Sequence, residues 1–155
     1  MDATARLTAI EDIRNLKARY CRAVDRKELD LLRSLFARDA VADYSRAGGP
    51  DRPRAASSPF AEPLRGADKI AETIIGGVAN MVTVHHCATG EIVIDTLESG
   101  RATWPMVDRL LLPPGGETKE IVGYGFYLET YVREDGAWKI RTVTLERTRV
   151  DVIPA

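Results

Sequence analysis

The chain reads as one α+β domain spanning residues 1–155, with three helices first and a curved antiparallel sheet after them. Two observations carry this expectation. Apolar residues recur at spacings of three and four up to about residue 80, and from Met81 onward the period changes to two. Helices followed by strands describe an α+β meander rather than alternating βαβ units. Length adds a third support, because a 155-residue chain buries about 70% of its unfolded surface and needs no second core.

The elements follow in order. Within residues 5–22, Leu7, Ile10, Ile13, Leu16 and Tyr20 form one stripe of an amphipathic helix, with Glu11, Asp12, Arg14, Lys17 and Arg22 on other faces. Asp25-Arg26-Lys27-Glu28 has the form of a capping box opening a short second helix through Leu31, Leu32, Leu35 and Phe36. A first strand is expected over Asp39 to Tyr44. Residues 45–63 hold four of the eight prolines and read as an irregular loop, of the kind that often serves as a lid or is disordered. Gly66 to Asn80 is a third helix, with Ile70, Ile74, Ile75 and Val78 at helical spacing. Four long strands are expected at about 82–95, 100–112, 121–133 and 137–150, the last two joined by a hairpin turn at Glu134-Asp135-Gly136. There are no internal repeats and no sign of a second domain.

Composition narrows the function classes. Lysine plus arginine (22) nearly balance aspartate plus glutamate (23), which leaves no electrostatic footprint for nucleic acid. No apolar run approaches the roughly 18 residues of a spanning helix, and Met1 to Arg6 lack the basic-then-apolar pattern of a signal peptide. Cys21 and Cys87 stand far apart without metal-like spacing and are expected to be reduced thiols in a cytoplasmic protein. Phosphate loop, nucleophile elbow and Cys/His metal cluster are all missing, so neither cofactor nor metal is expected. Any chemistry falls to carboxylate, imidazole and phenol, which suits proton abstraction beside a carbonyl.

Asp108 is the most informative position. It lies in a period-two row of the second long strand with Ala102, Trp104, Met106, Leu110 and Leu112, one carboxylate among apolar side chains. A buried carboxylate is costly unless paired, hydrogen-bonded or protonated, and such placements occur both at active sites and in structural ion pairs with an arginine on a neighbouring strand. His85 and His86 are the only histidines, and strand geometry sends them to opposite faces, so at most one enters a pocket. Asp25 is explained equally by a cap. Tyr20, on the helix stripe, is explained equally by the core.

The run Ile10-Glu11-Asp12-Ile13-Arg14-Asn15-Leu16-Lys17-Ala18-Arg19-Tyr20, then Asp25 and Leu35-Phe36-Ala37-Arg38-Asp39-Ala40, resembles the opening of SnoaL-like domains of the nuclear transport factor 2-like superfamily. Val84-His85-His86, Glu91 to Asp95, Ala102-Thr103-Trp104, Asp108-Arg109-Leu110, Gly125-Phe126-Tyr127 and Asp135 to Ile140 continue the resemblance over nearly the whole chain. It implies a cone-shaped curved sheet wrapped on three N-terminal helices around an apolar pocket, often a homodimer across the sheet. Within the superfamily the pattern is similar to that of bile-acid 7α-dehydratases, with scytalone dehydratases and lindane dehydrochlorinases similar at Asp25 and the histidine. The similarity implies catalytic roles for Tyr20, Asp25, His85 and Asp108. Pro105 and Ala88 depart from that pattern, and the proline-rich segment is longer, so pocket shape and substrate should differ.

On this reading His85, oriented by Asp25, is the general base of a dehydratase-like lyase acting on a hydrophobic ring compound such as a steroid or polyketide. Tyr20 donates a hydrogen bond, and Asp108 is held neutral as the acid. Trp104, Met106, Leu110 and Phe126 are candidate wall residues, with Tyr44 and Tyr124 as added hydrogen-bonding groups. A non-catalytic binding module for a hydrophobic small molecule, a structural subunit, and an isomerase or cyclase using the same pocket stay open.

Overall fold

The computed structural model describes residues 1–51 and 55–155; residues 52–54, part of the expected 45–63 loop, lie outside the described residues. Helix α1 (Ala3–Arg26) opens on Asp2, whose carboxylate accepts a hydrogen bond from the Ala5 amide at 2.8 Å. It closes on Lys27, which adopts a left-handed conformation (φ 60°) and donates its backbone N–H to the last-turn carbonyls of Ala23 and Val24. Helix α1 thus runs past Asp25, and the expected capping box does not form. Glu28 caps α2 (Leu29–Leu35) without a side-chain hydrogen bond, and its carboxylate meets Arg22 and Arg26 at 3.4 Å.

Strand β1 (Phe36–Asp43) begins directly at the end of α2. Turns follow through the described part of the loop, then the two-residue β2 (Leu64–Arg65) and helix α3 (Ala67–Val78). The expected strand over 82–95 is two strands, β3 (Val82–Cys87) and β4 (Glu91–Ile94), both paired with β5 (Ser99–Leu111) along successive lengths of the same edge. Strands β6 (Thr118–Glu134) and β7 (Ala137–Pro154) are joined by the expected hairpin, where Asp135 (φ 52°) and Gly136 (φ 79°) supply the two positive φ values of a tight two-residue turn.

The seven strands form one open sheet in the order β2-β1-β7-β6-β5-β3, with β4 also paired to β5. It is mixed rather than antiparallel throughout, because β1 pairs in parallel with the C-terminal strand β7. Register shifts along β6 and β7, including one between Tyr124 and Gly125, bend the sheet around the helices.

The core lies between the concave face and α1. The buried row of α1 is Ala9, Ile13, Leu16, Tyr20, Ala23 and Val24, while Leu7, expected on that stripe, is exposed. Lys17, expected on a solvent face, is buried as well. Its ammonium meets Glu129 of β6 at 2.5 Å and lies 3.5 Å above the Tyr127 ring. Glu129 also accepts from the Tyr131 hydroxyl, which accepts from the Trp104 indole N–H at 2.8 Å. Lys17, Glu129, Tyr131 and Trp104 are thus linked partner to partner, which is what lets two opposite charges stay inside.

Removing one member of that pair should be costly. Lys17→Met is expected to lose about 3–5 kcal/mol in urea denaturation by stranding the Glu129 carboxylate, and adding Glu129→Gln should recover most of it.

Candidate functional site

Asp25 sits in the last turn of α1, where the helix dipole disfavours a negative charge. Strand β3 compensates. The Thr83 hydroxyl donates to Asp25 Oδ1 at 2.9 Å and the His85 backbone N–H donates to Oδ2 at 2.9 Å. His85 Nδ1 lies 2.6 Å from Oδ1. Lys27 reaches back from the helix end, its ammonium 2.9 Å from the Thr83 hydroxyl and 3.2 Å from the Asp25 carbonyl. Burial alone would raise the Asp25 carboxyl; hydrogen bonds from the His85 ring and backbone, the His85 charge and the Thr83 hydroxyl outweigh it and hold the group below its ordinary range. The lowered carboxyl favours the ionised form, and as an acceptor beside Nδ1 it selects the tautomer that carries its proton there.

That tautomer leaves the Nε2 lone pair facing a pocket of about 410 Å³, lined by Tyr20, Tyr44, His85, Asp108, Tyr127 and Arg147 among mostly apolar side chains. Asp25 lies behind His85, outside the lining. His86 points to the other face of β3 and is exposed. From the loop, Ala47, Gly48, Ala55 and Phe60 form one wall, and the Phe60 ring stands edge-on to Tyr44 at 5.7 Å between centroids.

Asp108 is buried on the pocket floor, 3.8 Å from His85 Nε2 and ion-paired with Arg147. Arg147 is held in turn by the Ala47 carbonyl at 2.7 Å. The Arg147 guanidinium thus engages Asp108 in a salt bridge, a partner that the expectation of a lone acid did not include. The two residues come from β5 and β7, with β6 between them, and the pair forms only because Gly123 of β6 has no side chain. A Cβ there would fall inside contact distance of both Arg147 Nε and Asp108 Oδ1.

Three phenols complete the polar lining. The Tyr20 and Tyr44 hydroxyls lie 3.1 Å apart. The Tyr127 ring stands edge-on to Tyr20 at 5.8 Å between centroids. Burial raises all three well above the ordinary tyrosine value, so they serve as hydrogen-bond donors and not as bases.

The structure brings Tyr20, Asp25, His85 and Asp108 together, with Tyr44 and Leu110 in the lining. Trp104 and Met106 are buried in the core away from this pocket. Tyr124 and Phe126 lie on the outer face of the sheet, 37% and 40% exposed, and are corrected as wall residues. The inward row of β6 holds Gly123 and Gly125 and supplies Tyr127 to the pocket. Arg147 was missed too. Its signal was available, since it is a single cation in the inward row of Val143 and Leu145, the counterpart of Asp108 in its own apolar row.

The SnoaL-like domain family matches residues 5–144, and the chain belongs to that family. The fold is shared with solved structures at low identity. A putative scytalone dehydratase from Novosphingobium aromaticivorans is 20% identical with a TM-score of 0.76, covering 97% of this chain and 91% of that one. A type 2 hexachlorocyclohexane dehydrochlorinase is 17% identical with a TM-score of 0.77, covering 98% and 93%. A cystatin-like protein from Caulobacter vibrioides is 13% identical with a TM-score of 0.66, covering 90% and 89%. Among the described residues no helix is long and apolar enough to cross a membrane.

Two outcomes follow from this geometry. Gly123→Ala should destabilise the protein by about 1–3 kcal/mol in urea denaturation, because the new methyl group must displace the Asp108–Arg147 pair. A carboxyl held low contributes stability well above its ordinary value of 3.8 and loses that contribution as the pH falls through its folded value. The difference in Tm between wild type and Asp25→Asn should therefore be largest near neutrality and shrink as the pH falls below 3.8.

Proposed function

We propose that the protein is a lyase of the dehydratase type that works by general acid–base catalysis on a hydrophobic ring substrate carrying a carbonyl group. The observation that carries this reading is the 2.6 Å contact between Asp25 and His85 Nδ1, with Nε2 turned into an apolar pocket. An imidazole held in that tautomer takes a proton at Nε2, and the carboxylate behind it stabilises the imidazolium without being protonated itself.

The steps follow from what each group can do. His85 removes a proton from the carbon beside the substrate carbonyl. Negative charge then develops on the carbonyl oxygen, and the buried phenols of Tyr20, Tyr44 and Tyr127 are donors placed to receive it. Asp108 is engaged with Arg147, so the proton for a departing hydroxyl comes from the His85 imidazolium. That transfer restores the neutral ring and releases water. A pocket of about 410 Å³ suits a compact ring system. The activities for which the two neighbours are named, dehydration and dehydrochlorination, are both eliminations, which supports the class without naming the substrate. A homodimer would use the outer face of the sheet, where Tyr124, Phe126 and Leu128 remain exposed.

The test is a panel of cyclic β-hydroxy ketones followed by the absorbance of the conjugated enone. Wild type should give product. Asp25→Asn and His85→Ala should retain the fold by circular dichroism and lose about 10²–10⁴-fold in kcat. Saturable binding without product across the panel would favour a non-catalytic binding module instead. An unimpaired Asp25→Asn would remove the dyad from the mechanism.

A further inference from the structure

The helix–strand seam that holds Asp25 against His85 carries a second contact one turn away. Cys21 of α1 faces Cys87 of β3, with their sulfur atoms 3.7 Å apart. Four residues of helix rise about 6 Å and two residues of strand advance about 6.6 Å, so helix and strand stay in step over both contacts. These are the chain's two cysteines, and both are free and half-buried. They open onto a groove of about 260 Å³ that they share with Arg14, Lys17, His86 and Trp104, a cavity distinct from the main pocket although His85 borders both. A small oxidant can reach the sulfurs there without entering the site proposed for substrate.

We propose that Cys21 and Cys87 are an oxidant-responsive dithiol that closes to an intramolecular disulfide with peroxide and reopens with a thiol reductant. The Cys87 thiolate attacks one peroxide oxygen and breaks the O–O bond, giving a sulfenic acid and, after protonation, one water. The Cys21 sulfur then displaces hydroxide from the Cys87 sulfur, forming the S–S bond and, with the Cys21 proton, a second water. Two thiols lose two electrons and one peroxide gains them. The shared hydrogen bond leaves the proton on Cys21, raising that thiol and lowering Cys87, which makes Cys87 the first nucleophile. A disulfide bond is about 2.05 Å, so the sulfurs need to approach by a little under 2 Å. The cross-link would join positions 66 residues apart and tie α1 to β3 beside the Asp25–His85 contact. It does not depend on what the pocket binds or turns over.

The experiment uses the reduced full chain, a small excess of hydrogen peroxide, and alkylation with iodoacetamide under denaturing conditions. The expected product is about 2 Da lighter than the reduced protein, takes up no alkyl group, and reverts with dithiothreitol. Proteolysis should yield one peptide pair linking Cys21 to Cys87, and the oxidised form should have a higher Tm than the reduced form. Cys21→Ser should leave Cys87 as a sulfenic acid that dimedone traps. The proposal is overturned if both thiols remain alkylatable when glutathione in the same tube is oxidised, if the disulfides join separate chains, or if Cys87 passes to sulfinic acid without cross-linking.

Discussion

The candidate site rests on a carboxylate at the unfavourable end of a helix. Asp25 adds negative charge where the α1 carbonyls already concentrate it, so it depends on donors supplied by another element. Strand β3 provides the Thr83 hydroxyl, the His85 amide and the His85 ring, and Lys27 closes the arrangement from the helix end. These bonds fix how α1 lies against the sheet edge. They also fix the imidazole tautomer, so one local compensation both docks the helix and prepares the base.

Two buried polar systems meet across Tyr127 and differ in how completely they are satisfied. Behind its ring, Lys17, Glu129, Tyr131 and Trp104 form a closed chain of partners. On the pocket side, Asp108 and Arg147 pair, yet Asp108 Oδ1 and Arg147 Nε, both facing Gly123, have no hydrogen-bond partner among the described residues. A network that is closed specifies the packing, whereas one with open valences retains the capacity to act on something else. The contrast separates the structural polar core from the candidate catalytic one.

Much of the fold was legible because period and punctuation agree: helices up to about residue 80, strands after, and a glycine at the last hairpin. The site was legible where a residue type broke its pattern, as Asp108 did. The misreadings have physical causes. Asp25 and Glu28 fit a capping box locally, but the tertiary bonds to β3 extend α1 beyond that point. Lys17 has a solvent-facing residue type and is buried only because Glu129, 112 positions away, meets it. Tyr124 and Phe126 alternate with Gly123 and Gly125, so the inward row of β6 carries little apolar signal at these positions. The proximity of Cys21 to Cys87 depends on the docking of a helix on a strand, which spacing along the chain does not encode.

The parallel pairing of β1 with β7 has a consequence for how the chain comes to be folded. Ala42 of β1 is in register with Val143, and the hairpin of β6 and β7 must exist before β1 has an edge to join. The early helices and β1 therefore leave the ribosome before β7, and until β7 is present β1 and β2 have no edge of the main sheet to join. Arg147 and the pocket floor arrive with the last strand. Contacts this distant in sequence make for slow, all-or-none folding, and a truncated chain keeps its first strand as an unprotected edge.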